Sequence, residues 1–132
     1  MANSVNYNTI TKQLELNIDQ GSTFEHTFTF TNNGIPFDLS NYDARMQVRK
    51  TYGTSATIYS GTNQDGKLVF VNAPAGELKV VFAPADTANV KFTNSDDSTL
   101  YSVFDLELEH KITHKVYKPA SGSITFVREV TR

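Results

Sequence analysis

Thr99-Leu100-Tyr101-Ser102-Val103-Phe104-Asp105-Leu106-Glu107-Leu108-Glu109-His110 is the stretch on which the fold turns. Leu100, Ser102, Phe104, Leu106 and Leu108 fall on one side of it, and Tyr101, Val103, Asp105, Glu107 and Glu109 fall on the other. A period of two belongs to a strand, because successive side chains there point to opposite faces. A helix would scatter the same apolar residues around its whole circumference. The segment therefore reads as a long strand with one buried face and one largely polar face.

The same alternation recurs upstream. Leu78, Val80 and Phe82 line up beside Glu77, Lys79 and Val81, and Ala44, Met46 and Val48 beside Arg45, Gln47 and Arg49. Phe24, His26, Phe28 and Phe30 oppose Glu25, Thr27 and Thr29, with His26 breaking an aromatic row as a strand-end or hydrogen-bonded core histidine. Leu14, Leu16 and Ile18 share a face of the first patterned strand. Leu68 and Phe70 alternate with Val69 and Val71, so that strand reads as covered on both faces, and residues 56–60 read as a short edge strand. Downstream, Ile124, Phe126 and Val130 alternate with Thr125, Val127 and Glu129, while Arg128 falls on the apolar side where it can snorkel to water.

Punctuation between these runs is turn chemistry. Asn33-Gly34 and Asp65-Gly66 are both placed to close hairpins, and Lys111-Ile112-Thr113-His114 connects the long strand to its return. Pro119 and Gly122 would interrupt a central ladder, which predicts a bulge or bend. Pro84 to Val90 reads as a single helical turn opened by proline. Residues 1–12 carry no periodic pattern and read as an extended polar arm, with one domain over 13–132. The expectation is an all-β, immunoglobulin-like antiparallel β-sandwich of roughly seven to eight strands with at most one short helical turn. Phe28, Phe104, Leu106 and Phe126 are expected in its core.

A chain of 132 residues buries about two-thirds of its unfolded surface, so its core needs no staple. It has no cysteine, which excludes disulfides, thiolate metal sites and cysteine nucleophiles. Twelve basic and 14 acidic residues are interspersed, and no basic cluster suggests nucleic acid. No apolar run approaches the roughly 20 residues of a membrane helix, and the start of the chain lacks the pattern of a secretory signal. Neither nucleic acid nor a membrane is an expected partner.

Candidates for chemistry are few. His110 and His114 flank the hairpin tip, with Glu109 as a third potential ligand, but the set matches no metal motif and an exposed hairpin is the simpler reading. Asp86, Asp96 and Asp97 lack the regular oxygen spacing of a calcium loop. Glu107 and Glu109 share a strand face at about 7 Å, near glycosidase spacing, yet alternating Glu is ordinary solvent-side patterning. Arg45, Arg49 and Lys50 read as a solvated basic edge. The glycines are scattered singly, so there is no phosphate-cradling loop. No catalytic, cofactor-binding or metal-binding residue is assigned, and no cofactor is expected. Val69, Val71, Tyr101, Val103 and Val127, on nominally outward faces, are either covered within the sandwich or available as an interface.

Three stretches carry a resemblance. They are Leu16-Asn17-Ile18-Asp19-Gln20-Gly21-Ser22-Thr23-Phe24, then Ile35-Pro36-Phe37-Asp38-Leu39-Ser40-Asn41-Tyr42 continuing to Lys50, then Tyr101-Ser102-Val103-Phe104-Asp105-Leu106-Glu107-Leu108 with Gly122 to Arg132. In that order they resemble small virion structural proteins of tailed phages, cyanophage-like ones included, and the immunoglobulin-like N-terminal domain of baseplate upper-protein type. Asn41 stands where glycine is usual, and asparagine also tolerates a left-handed turn. The resemblance implies a non-enzymatic part of the virion, assembled in the host bacterial cytoplasm. It would act as a capsid decoration protein or as a neck, tail or baseplate adaptor. Its partners would be other virion proteins (major capsid, neck, tail or baseplate) and further copies of itself. The alternative is a carbohydrate-binding or adhesin-type module that attaches a fibre or particle to host glycans.

Overall fold

The computed structural model describes residues 3–8 and 13–130. In chain order the strands are β1 (Ser4–Asn8), β2 (Gln13–Asp19), β3 (Phe24–Thr29), β4 (Thr31–Asn32), β5 (Ile35–Pro36), β6 (Tyr42–Arg49), β7 (Tyr59–Thr62), β8 (Leu68–Asn72), β9 (Glu77–Phe82), β10 (Thr99–His110) and β11 (Val116–Val127). Among the described residues, helical structure is confined to a 3-10 turn at Ala73–Ala75 and to α1 (Pro84–Ala88). A six-stranded sheet in the order β1-β2-β11-β10-β6-β7 packs on a three-stranded sheet in the order β3-β9-β8, with β4 and β5 as a separate small hairpin. The fold is an all-β sandwich. Its pairs are antiparallel except β2 with β11, which run parallel.

The inward rows read from the sequence are the core. Leu16, Ile18, Met46, Val48, Leu106, Leu108, Ile124 and Phe126 of the large sheet meet Leu68, Leu78, Val80 and Phe82 of the small one, all nearly or fully buried. Phe28, Phe104, Leu106 and Phe126 are buried as expected. Burying one such side chain is worth roughly 1.5–3 kcal/mol, so these rows fix the register: a one-residue slip would turn a whole row outward. Ser102, on the inward row of β10, is fully buried and donates its hydroxyl to the Ile124 carbonyl at 2.7 Å. Tyr59 ties the two sheets together. Its ring stacks on Phe82 at 3.9 Å, and its hydroxyl donates to the Val81 carbonyl at 2.8 Å.

Several local expectations hold. Asn33 and Gly34 both have positive φ, +53° and +79°, as a tight primed turn requires. The bulge lies at Lys118 and Pro119: Leu106 pairs with Ala120 but Leu108 pairs with Tyr117, which leaves two residues opposite Glu107. Proline therefore sits where no ladder N–H is needed.

Other details differ. Ser4–Asn8 is not free arm but an edge strand paired antiparallel with β2; the rest of the 1–12 segment falls outside the described residues, apart from Asn3. The Asn3 side chain reaches back to accept from the Asp19 N–H at 2.7 Å. Asp65-Gly66 does not close a hairpin, because β7 belongs to the large sheet and β8 to the small one. Asp65 accepts from the backbone N–H of Thr62 and of Lys67, which organises a wider crossover loop. The edge strand expected at 56–60 lies at Tyr59–Thr62. Asn41 does not take a left-handed conformation; its carbonyl accepts from the Lys111 N–H at 2.9 Å and so docks the β10–β11 tip. Arg128 does not end in water alone. It donates to the carbonyls of Ser95 and Asn94 and stacks over Phe92 at 4.3 Å, clamping the 94–98 loop, although its Nε has no partner among the described residues.

Candidate functional site

The side chains that could have carried chemistry are brought together only in part. His110 and His114 share the β10–β11 tip. The His110 Nδ1 accepts from the N–H groups of Ile112 and Thr113 at 3.2 Å, and its ring meets Tyr42 edge-on at 5.1 Å. That nitrogen organises the turn and does not point at His114. His114, at φ +60°, places its Nδ1 3.1 Å from Glu109 Oε2. Among the described residues no three His, Asp or Glu side chains converge as metal ligands.

Glu107 and Glu109 flank a common cation. Arg45, across the ladder on β6, donates through Nε to Glu107 at 2.6 Å and through Nη1 to Glu109 at 2.9 Å. Lys118 adds contacts to Glu107 at 3.4 Å and Asp105 at 3.7 Å. Burial would raise the Glu107 pKa, but hydrogen bonds from Arg45 and Lys118 outweigh it and hold the carboxyl below its ordinary value. Arg45, with a smaller part from His114, likewise holds Glu109 low. A glycosidase pair needs one carboxyl kept protonated as the acid, and here both are held ionised.

A pH dependence follows from the sign of these shifts. Carboxyls with a depressed folded pKa bind fewer protons in the folded state than in the unfolded chain, so stability rises with pH through that window. Their contribution is complete above the ordinary glutamate range, near pH 4.3, and is lost as pH falls through the lower folded values. Urea midpoints between pH 7 and pH 3 should therefore fall on acidification. Arg45→Ala should make that fall shallower while lowering the neutral-pH midpoint only slightly, as expected for exposed pairs. An unchanged pH slope in the variant would show that Arg45 does not set these carboxyls.

Of the three acidic loop residues, Asp86 and Asp97 are occupied locally, and Asp96 is exposed. Asp86 accepts from the Ala83 N–H at 2.7 Å and lies 3.5 Å from Lys67; Asp97 accepts from the Asn94 N–H at 2.9 Å. The basic edge is also divided. Arg45 serves the carboxylates, and Arg49 turns onto its own loop, donating to the carbonyls of Thr54 and Ser55 and to Gln47 Oε1. His26 is half-buried with its ring edge-on to Phe28 at 4.6 Å, and burial depresses its pKa. No hydrogen-bond partner for it exists among the described residues.

What remains is surface. The nominally outward residues split: Val103 is buried and Val127 half-buried, whereas Val69, Val71 and Tyr101 are exposed. At the end of the sandwich that carries the β10–β11 tip, Phe37, Tyr42 and Tyr117 form a ring cluster with centroids 5.4–6.2 Å apart. Phe37 and Tyr117 also line an open cleft of about 430 Å³ with Phe30, Leu108 and Pro119. Tyr117 is 44% exposed, and Ile112 on the adjoining tip is 77% exposed.

No protein-family model and no curated protein matches the chain. The apolar end of the sandwich is thus argued from geometry alone. Sequence reasoning passed over it because Phe37 lies in a loop, and Tyr42 and Tyr117 lie at the starts of β6 and β11, ahead of the alternating rows that were read. The signal that was available is the unusual run of apolar residues at turns, Ile35 beside Asn33-Gly34 and Ile112 inside the hairpin tip, where polar residues are the norm.

Proposed function

We propose that this chain is a non-enzymatic structural protein of a tailed-phage virion, acting as a capsid decoration protein or as an adaptor at the neck, tail or baseplate. The observation that supports the reading is the apolar end, where half-exposed Tyr117 lines an unfilled aromatic cleft and Ile35, Ile112 and Val116, on the two hairpins that contribute to it, leave large apolar side chains in water. Exposed apolar surface clustered around a cleft suits a protein contact more than a solvated loop. The open strand edges, β1 and β7 of the large sheet and β3 and β8 of the small one, offer further sites for pairing with a neighbouring chain. Arg45 holding Glu107 and Glu109 ionised removes the one carboxylate pair that suggested hydrolysis.

Mass spectrometry and cryo-electron microscopy of purified particles of the encoding phage test the proposal. The chain should be present in many copies, with its β10–β11 tip against another virion protein. Ile112→Asp should reduce its incorporation without changing its thermal unfolding, because Ile112 is not part of the core. Particles that lack the chain would overturn the reading.

A further inference from the structure

We infer that the outer face of the six-stranded sheet carries a binding site for a neutral saccharide ring, built around Tyr52, Gln47, Arg49 and Asp105 over the buried methyls of Val103. The inference goes beyond the assembly role and does not depend on where the chain resides. Residues of β6 and β10 enclose a depression of about 260 Å³ on that face, with Tyr52 at its rim. This is below the roughly 300–1,000 Å³ of sites that engulf drug-sized ligands, so it suits one ring held at a surface and not an enclosed substrate. Tyr52 is 76% exposed, and Tyr101, two residues from Val103 on the same face, is 62% exposed. Two large rings on one face of a sheet that the molecule does not itself cover offer flat apolar platforms for the C–H face of a sugar.

The polar groups of β6 and β10 beside Tyr52 are arranged as a sugar requires. The Arg49 guanidinium is immobilised by the Thr54 and Ser55 carbonyls and by Gln47 Oε1 at 2.8 Å. That bond fixes the Gln47 amide, whose Nε2 makes no hydrogen bond among the described residues and is left as a donor. Asp105 pairs across the ladder with Gln47, and among the described residues its one ion-pair partner is Lys118 at 3.7 Å, beyond hydrogen-bond reach, so its oxygens remain as acceptors. A fixed donor beside a carboxylate acceptor matches a pair of vicinal hydroxyls, each of which both donates and accepts.

Charge decides the ligand class. The charges lining the depression balance, Arg45 and Arg49 against Asp105 and Glu107, so it attracts neither phosphate nor polyanion. A hydroxyl-rich neutral ligand gains its hydrogen bonds without opposing a net field.

The test uses the full chain on an array of neutral oligosaccharides, followed by titration of the isotope-labelled protein with glucose, galactose, mannose and N-acetylglucosamine at millimolar concentration. Saturable binding is expected to shift the Gln47 side-chain amide signals and to be insensitive to salt. Asp105→Ala and Tyr52→Ala should each weaken it roughly tenfold, with thermal unfolding unchanged because both side chains lie outside the core. Absence of binding across the array would overturn the inference. So would binding that both variants retain, or binding confined to anionic glycans and lost with added salt.

Discussion

Phe126→Ala is expected to lower the free energy of unfolding by about 3–5 kcal/mol, the range for emptying an aromatic site in a packed core. Phe126 is fully buried, and it sits on a central strand of the large sheet, paired with Leu100 of β10 on one side and with Ile18 of β2 on the other. Both neighbours are held in ladders, so neither can move in to fill the space. For a domain of this size the loss corresponds to a fall of roughly 10–20 °C in Tm. Urea unfolding followed by circular dichroism should show a lower midpoint at an unchanged slope. Val127→Ala, one residue on and half-buried on the opposite face, should cost distinctly less. A loss below about 1 kcal/mol at Phe126, or the reverse order of the two, would mean that β11 is turned over by one residue.

That test addresses what was most legible in the sequence. Wherever one face of a strand is apolar and the other polar, as in β6, β9 and β10, alternation alone fixed which residues point inward. Long-range pairing was not legible in the same way. Nothing in Ser4–Asn8 distinguishes a free arm from an edge strand, because an edge strand buries little and its register comes from β2 and not from its own pattern. Asp65-Gly66 has the composition of a hairpin turn, yet whether two strands joined by such a turn pair or part depends on which sheet each one completes. Tyr59 illustrates the cost of reading edges weakly: its hydroxyl and ring join the two sheets, but a tyrosine in a four-residue edge strand looks like a surface residue.

The surface features were less legible than the core for a related reason. Glu107 and Glu109 could be placed on one face from their spacing, but Arg45, which neutralises both, lies 62 and 64 residues away and becomes their neighbour only through the β6–β10 ladder. Arg128 could be assigned to the apolar side of the last strand. That its guanidinium has loop carbonyls and the Phe92 ring to meet follows from the path of the 94–98 loop, which no local pattern encodes. The apolar end is assembled from three segments, and the Tyr52–Asp105 face from two that lie some 50 residues apart in the chain. Single-strand periodicity is blind to such assemblies.

Gly122→Ala is expected to have a comparable effect on stability by a different route. A Cβ on Gly122 would lie 1.8 Å from the Leu14 carbonyl oxygen and 2.8 Å from the Leu14 nitrogen. Ordinary overpacking costs about 1–3 kcal/mol because side chains can shift rotamer. Here the obstacle is backbone, so the β2–β11 pairing itself must open, and the cost should reach or exceed the upper end of that range. The damage should also be localised. Among the described residues, β2 pairs into the large sheet through its parallel ladder with residues 122–127 of β11, and β1 through β2. Hydrogen exchange should therefore accelerate along Leu14–Asp19 while the β6–β10 ladder, built from eight paired positions on the other side of β10, keeps its protection. Uniform acceleration across both regions would show that the first two strands are not a separable unit. Unchanged stability would contradict the close parallel approach of β2 and β11, and with it the placement of the first two strands in the sheet.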